Sequence, residues 1–457
     1  MKTIRSVNPF TLDANGEFEL ASSSQACEEI EGSRTGFKVW RALAPAERGR
    51  CISRLADVLL AGQRRYAETI TREMGKPIRQ ALAEIERSAN ICRYFGEHAE
   101  ELTRDQMVQA PFRKSFISFE PLGVILAIMP WNFPVIQLFR FAVPTLTAGN
   151  VVVLKPASIT PLCGLAIEGI FNDAGFPRGV FRTLLIDSTT ALSLVHQDKV
   201  DGVSLTGSPG AGSQVGSAAG GRIKKTVLEL GGSDPFLVLD DVNVDAVASA
   251  AVQSRFVNCG QSCVASKRFI LTRKVAREFS DRFVHHMRAM KAGDPMEEST
   301  DIGPLATSEG AQELSGQIQD ARQKGAEVVD GPSVPAQGRF FRPVAILSAT
   351  RDMRVATEET FGPVAPLFVV DSEEEMIELA NATEFGLGAT IWTRDIEKAE
   401  RLARRIDSGF VGINKPVKSD PRLPFGGTKK SGIGRELSQH GVREFTNVKT
   451  IIVESPS

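Results

Sequence analysis

Two residues of this chain could do covalent chemistry together. Cys263 closes the run Phe256-Val-Asn-Cys-Gly-Gln-Ser-Cys263, 34 residues beyond Glu229, which ends an apolar stretch and heads Glu229-Leu-Gly-Gly232. A thiolate is a nucleophile and a carboxylate can take a proton from water, so the pair holds the parts of covalent catalysis. Residue type alone favours a plainer reading, because a free cysteine is usually a small buried hydrophobe. Asn132, inside Met129-Pro-Trp-Asn-Phe-Pro134, offers an amide donor for an oxyanion or simply for a turn. Lys155 ends the apolar run Val151-Val-Val-Leu at the strand edge where open α/β sheets bind ligands. It reads equally as a solvated strand-end lysine, and Ser158 as ordinary surface. The run Thr206-Gly-Ser-Pro-Gly-Ala-Gly-Ser-Gln-Val-Gly216 follows an expected strand and opens an expected helix, a place where free N–H groups face a phosphate. Its glycines depart from the G-x-G-x-x-G spacing, which leaves a plain turn as an equal alternative.

The elements that must carry these residues alternate. From about 45 to 100 the spacing is helical, with stripes Ile52, Leu55, Ala56, Leu59, Leu60 and Ala81, Ile85, Ala89, Cys92. Beyond 122, the runs Val124–Met129, Val151–Leu154, Val180–Ile186, Gly202–Thr206 and Thr226–Leu230 read as strands between helices, which predicts a parallel sheet covered on both faces. A second α/β series follows as a separate domain, with strands near Arg268–Leu271, Val364–Val370, Ala389–Trp392 and Phe410–Ile413 and helices near 274–290, 307–323, 372–381 and 396–406. Phe112–Glu120 and Val448–Val453 fit neither series and are expected to be β-arms that pair outside their own domain, in a homo-oligomer.

Bulk composition excludes several classes. At 457 residues one core is too few. The 54 Lys and Arg against 55 Asp and Glu leave no field that would draw nucleic acid or an anionic membrane. The first twenty residues lack the apolar core of a signal peptide, and the most apolar stretch, Gly123–Met129, is far short of the ~20 residues of a membrane span. Six cysteines without a CxxC pair and five histidines signal neither a zinc framework nor a disulfide scaffold. A cytoplasmic, reducing setting is expected.

Seven strings in order change the weighting: Pro130-Trp-Asn-Phe-Pro134, Val153-Leu-Lys-Pro156, Thr206-Gly-Ser208, Leu228-Glu-Leu-Gly-Gly232, Gly260-Gln-Ser-Cys263, Glu358-Glu-Thr-Phe-Gly-Pro-Val364 and Leu423-Pro-Phe-Gly-Gly427. Through them the chain resembles the aldehyde dehydrogenase superfamily over nearly its whole length. Glu73-Met-Gly-Lys-Pro77, Gly231-Gly-Ser-Asp-Pro-Phe236 and Lys429-Lys-Ser-Gly-Ile-Gly-Arg-Glu436 are similar to its bacterial succinate-semialdehyde branch. The resemblance implies an α/β fold with a Rossmann-type parallel-sheet domain (1–101 and 120–231), an α/β catalytic domain (232–430) and a small β oligomerisation arm (102–119 and 431–457), assembling as a homodimer or homotetramer.

The resemblance also implies roles. Cys263 attacks the aldehyde carbon, Asn132 and the Cys263 N–H hold the oxyanion, hydride leaves for a nicotinamide, and Glu229 activates the water that hydrolyses the thioester. Trp131, Lys155, Ser158, Gly207, Ser208, Glu359 and Phe361 are expected at the cofactor. Lys155 matches a lysine that contacts the adenosine ribose, and Ser158 stands where strongly NAD-preferring relatives carry a glutamate. That implies NADP as the favoured cofactor and NAD as the poorer one. Arg140 aligns with an arginine that holds a distal carboxylate, with Ser419 and Phe425 as further substrate contacts, so succinate semialdehyde is the expected substrate. Glutarate semialdehyde and neutral aliphatic or aromatic aldehydes are the alternative. Two departures stand out: Val257 replaces a second carboxylate-binding arginine of some relatives, and Leu185-Ile-Asp-Ser188 lacks a glycine common on the adenine side. Glu229 speaks against a coenzyme A-acylating enzyme, which needs no base for water. The joint presence of Asn132, Glu229 and Cys263 speaks against a non-catalytic binding protein. Cys259 has two readings, a packed thiol and a redox partner one helical turn before Cys263.

Overall fold

A computed structural model describes residues 2–455. The apolar runs become two mainly parallel sheets. The first has six strands in the order Gly432–Ile433, Lys225–Glu229, Gly202–Thr206, Val124–Ile128, Val151–Lys155 and Phe181–Thr183. All neighbours but the first are parallel. Its middle strands are buried almost throughout, as helices on both faces demand. The second has seven strands, in the order Glu327–Asp330, Val344–Leu347, Val364–Val370, Ser266–Thr272, Asp234–Val238, Gly388–Trp392 and Phe410–Ile413. Only Glu327–Asp330 runs antiparallel to its neighbour. Each sheet has its own apolar core.

The expected helical stripes lie in Pro45–Ala61 and Ile78–Glu97, with Ile52, Leu55, Ala56, Leu59, Ala81, Ile85, Ala89 and Cys92 buried and Leu60 partly so. Two strands in the middle of the second sheet went unread, and each has a reason. Asp234–Val238 begins Asp-Pro, a pair that reads as a turn because proline cannot donate to a ladder. The Asp234 carboxylate instead accepts the Gly388 N–H at 3.0 Å from the neighbouring strand. Val344–Leu347 is only four residues long, too short to show a period.

The segments Lys114–Pro121 and Thr446–Val453 pair with each other, antiparallel, from Thr446 opposite Pro121 to Val453 opposite Lys114. Gln106–Met107 completes this third sheet. The boundary expected at 431 falls elsewhere in the structure. Gly432–Ile433 hydrogen-bonds to Leu228 and Glu229 at the edge of the first sheet, and Val442 and Phe445 pack into the first core, so the arm's C-terminal limb is Thr446–Val453 alone. The sequence hides this because Gly432 and Gly434 carry no apolar period; at Gly432 a Cβ would lie 1.8 Å from the Leu228 carbonyl oxygen, so only glycine fits.

Candidate active site

Cys263 sits on a loop that the backbone bends hard to present. The helix Val244–Phe256 ends, and Asn258, Cys259 and Gly260 follow with φ of 51°, 55° and 74°. Two non-glycine residues in the left-handed region are costly unless neighbours hold them. Here the Asn258 N–H donates to Gln80 Oε1 at 2.6 Å, its amide donates to the carbonyls of Asn132 (2.9 Å) and Gln261 (3.1 Å), and the Gln261 side chain accepts the Ala306 N–H at 3.0 Å. Lys267, fully buried, donates to the carbonyl oxygens of Ser262 (2.9 Å) and Cys263 (2.6 Å). The segment is therefore not a continuing α-helix. Cys259 points into the second core with its thiol pushed up to about 12 by burial, and no disulfide joins it to Cys263.

Cys263 is half-buried and faces a cleft of about 890 Å³ between the two sheets, lined also by Trp131, Asn132, Gly207, Ser208, Glu359 and Phe361. Burial lifts its thiol to about 11, with Arg140 and Lys267 pulling it back and Glu229 and Glu359 pushing it up. Asn132 is brought beside it: its amide donates to the Gln261 carbonyl at 3.1 Å, which fixes the ring of contacts between the 130–134 loop and the cysteine loop. Glu359 accepts from the Gly232 N–H at 3.1 Å and lies 3.3 Å from Lys267 Nζ, and Trp131 meets Phe361 edge-on at 5.8 Å between centroids. Arg255, wholly buried, clasps the loop that bears Glu359 and Phe361 by donating to the carbonyls of Thr360 and Val364, both at 2.7 Å.

Glu229 ends the strand Lys225–Glu229 and is buried, with Oε1 lacking a hydrogen-bond partner among the described residues. Burial holds its carboxyl well above the ordinary range and repulsion from Glu436 adds to this, while Arg140 and Arg435 oppose it. Gly426, at φ 154°, lets the backbone pass so close that a Cβ would lie 2.7 Å from that oxygen.

The expected substrate residues divide. Arg140 is no helix-surface arginine: it is buried, its Nε donates to Glu436 Oε2 at 2.7 Å, and its guanidinium stacks 4.0 Å over the Phe425 ring. Its Nη2 has no hydrogen-bond partner among the described residues. Ser419 is elsewhere, on a second cavity of about 380 Å³ beside Arg87. Lys155 is buried at the carboxyl end of its strand, opposite Ile128, where burial lowers its ammonium; Ser158 is exposed in the turn beyond. Neither lines the main cleft itself.

Comparison with known proteins meets this geometry. Residues 1–451 match the model of the aldehyde dehydrogenase family. The chain belongs to the aldehyde dehydrogenase family. It is 45% identical over 449 residues, 98% of this chain and 99% of the relative, to a probable NADP-type succinate-semialdehyde dehydrogenase of Synechocystis. It is 41% identical to the NADP-type succinate-semialdehyde dehydrogenase of Deinococcus radiodurans, over 97% of this chain and 94% of that protein. The crystal structure of the Streptococcus pyogenes succinic semialdehyde dehydrogenase with NADP superposes with a TM-score of 0.96 at 34% identity, covering 99% of this chain and 100% of that one.

Several residues that build the site of this aldehyde dehydrogenase went unnamed in the sequence reading. Arg255 stands near the end of a helix rich in Ala and Val, where a lone cation in an apolar run was the signal; Lys267 sits beside Arg268 at the start of the strand Ser266–Thr272, where two cations together look like surface. Glu436 appeared only as the last residue of the Lys429–Glu436 string, and nothing there marked it as the partner of Arg140, 296 residues away.

Proposed function

We propose that this aldehyde dehydrogenase oxidises succinate semialdehyde to succinate, with NADP favoured over NAD. The observation that carries the substrate is Arg140: a buried guanidinium with an unpartnered Nη2, close enough to Cys263 and Glu229 to act on the charge of both. An unpaired buried donor is costly, and a carboxylate is the group a guanidinium fork fits. The names of the relatives above point the same way. Exposed Ser158 supports NADP, since a hydroxyl there neither repels a phosphate nor fills its space.

The residues at the cleft fit a dinucleotide. Ser208 caps the helix Pro209–Gly220 by accepting the Ala211 N–H, and Gly207, Ser208 and Pro209 border the cleft, so the positive end of that helix faces the space a phosphate would take. Glu359 would accept hydrogen bonds from ribose hydroxyls, Phe361 and Trp131 would flank the nicotinamide, and Lys155 with Ser158 would meet the adenosine ribose. When bound, the cofactor accepts the hydride.

The chain's own groups do the rest. Cys263 Sγ attacks the aldehyde carbon, and the oxyanion falls to the Asn132 amide and the Cys263 N–H. The thiol, held at about 11, must first lose its proton. Once the thioester exists, Glu229 takes a proton from water; burial raises its proton affinity above that of an exposed carboxylate and so makes it the stronger base, and the acid is released. We further propose that residues 1–101 and 120–231 serve the cofactor and 232–430 the chemistry, that the three-stranded arm joins copies into a dimer or tetramer, and that the enzyme works in the cytoplasm, where its six free cysteines stay reduced.

The deciding experiment is a kinetic matrix of NADP and NAD against succinate semialdehyde and butanal. The proposal expects the highest kcat/KM for NADP with succinate semialdehyde. A preference for butanal would remove the substrate reading, and one for NAD the cofactor reading.

A further inference from the structure

The peptide that joins Ser262 to Cys263 has a polar group at each end, and the reaction steps above use one of them. Its N–H is the backbone donor to the oxyanion, and no described residue accepts from it. Its carbonyl oxygen takes two donors, the Ala265 N–H at 3.3 Å and the Lys267 ammonium at 2.9 Å. A cation therefore sits on the far end of the group that meets the oxyanion.

An irregularity in the second sheet brings it there. Asp234 stands opposite Ser266 and Pro235 opposite Arg268, so the register between these two strands passes over Lys267. Pro235 has no N–H to offer at that step, and a residue left out of a ladder is re-aimed. The Lys267 side chain turns back to the loop before it, wholly buried, and donates to the Cys263 carbonyl as well, at 2.6 Å. Two carboxylates answer the buried charge. Glu359 lies 3.3 Å from Nζ, and Asp234, which burial pushes up to about 6, is near enough for the Lys267 charge to oppose that rise. A neutral amide could satisfy the loop carbonyls equally well, so hydrogen bonding alone does not call for a lysine.

We propose that Lys267 is a positioning residue that strengthens the oxyanion donor from behind: its charge on the Ser262 carbonyl polarises the Ser262–Cys263 peptide, so that the Cys263 N–H donates more strongly. This rests on the reading of Cys263 as the attacking residue and of its N–H as an oxyanion contact. Linked hydrogen bonds polarise one another, and a bond to an ion is about twice as strong as a neutral one. Negative charge gathers on the substrate oxygen as Sγ bonds to the aldehyde carbon, so the gain falls on the transition state and not on aldehyde binding. The same ammonium also favours the Cys263 thiolate, and the two effects must be separated by experiment.

Two rates, measured at one pH for wild type, Lys267→Gln and Lys267→Arg, make the separation. The first is single-turnover formation of reduced cofactor at saturating NADP with succinate semialdehyde and with butanal, which passes through the oxyanion. The second is alkylation of Cys263 by iodoacetamide, in which the thiolate displaces iodide and no oxyanion forms; mass spectrometry locates the adduct. Lys267→Gln keeps a donor and loses the charge. It should lower the first rate about 10- to 100-fold more than the second, with KM for either aldehyde within about threefold of wild type. Lys267→Arg keeps the charge and should return the first rate to within about tenfold of wild type. Lys267→Met is read in the same way as Lys267→Gln should the latter not fold. A first rate that falls no further than alkylation, or no change in either, would overturn the proposal. A wild type that still turns over once Cys263 is alkylated removes the mechanism itself; a wild type silenced by that alkylation, with equal falls in the two rates of Lys267→Gln, removes only the role of Lys267.

Discussion

At the scale of single residues, the site turns on a carboxyl kept uncomfortable. Glu229 is buried, one oxygen lacks a partner, and Arg140 is already engaged by Glu436. Its folded proton affinity lies above that of an unfolded glutamate, so the stability it lends is fully present below the ordinary carboxylate range and is lost as pH rises through the folded value. Glu229→Gln should therefore flatten the fall of Tm with rising pH while leaving the nucleophile intact. In the same variant acylation proceeds and hydrolysis does not. A single-turnover burst of reduced cofactor, equal to the enzyme present, should precede a steady rate about 10²- to 10⁴-fold below wild type. Rapid-mixing absorbance reads the burst and mass spectrometry the acylated chain. A variant with no burst and no acyl adduct would place Glu229 before acylation instead of after it.

At the scale of elements, glutamates from the N-terminal helices cap the pieces that carry the chemistry. Glu73 accepts the N–H groups of Leu162 (3.0 Å) and Cys163 (2.8 Å) at the start of Pro161–Asp173, and Glu84 does the same for Val135 and Ile136 just past Asn132. Lys76 closes the second cap from below and lies 3.7 Å over the Phe133 ring. Glu84→Ala removes a helix cap and strands the buried Lys76 charge, which should cost about 3–5 kcal/mol in urea unfolding and loosen the loop that bears Asn132. A loss under about 1 kcal/mol would mean that Lys76 finds water or another partner on its own. Legibility in the sequence divides along the same line. Val364–Val370 was readable to the residue because burial on both faces leaves an unbroken apolar run, and Gly202–Thr206 because its few polar residues are small and fit a buried strand. The Lys76–Glu84 cap was not, since a charged residue on a helix looks like surface until its partner is placed. For the same reason Arg140 and Glu436 were each legible, one as a carboxylate binder and the other as the end of a family string, while their pairing was not. Local period encodes elements; a buried ion pair is encoded only by the fold that joins its two halves.

At the scale of the whole molecule, the proposed catalytic residues come from one chain, while the three-stranded arm leaves an apolar edge exposed. Cys263, Asn132 and Glu359 line one cleft within a single copy, and Glu229 of the same copy is near enough to act on the charge of the Cys263 thiol. Thr446–Val453, by contrast, is the outer strand of its three-stranded sheet, and it exposes Val448 by 56% and Ile452 by 50%, with Met107 on the opposite edge strand exposed by 63%. An edge that long and apolar is a template for pairing with another copy unless something covers it. The wild-type chain should therefore run as a dimer or tetramer by size exclusion with light scattering, and Val448→Lys with Ile452→Lys should bring the mass down toward that of one chain. Because strand Thr446–Val453 keeps its pairing with Lys114–Pro121 within the copy, and because no described site residue lies on either strand, the dissociated variant should keep kcat within a few-fold of wild type while losing thermal stability. A monomeric wild type removes the arm's role in assembly. A dissociated variant without turnover would instead mean that the neighbouring copy holds the site together, through the segment from Gly432 to Phe445 that links the arm to Glu229 and Glu436.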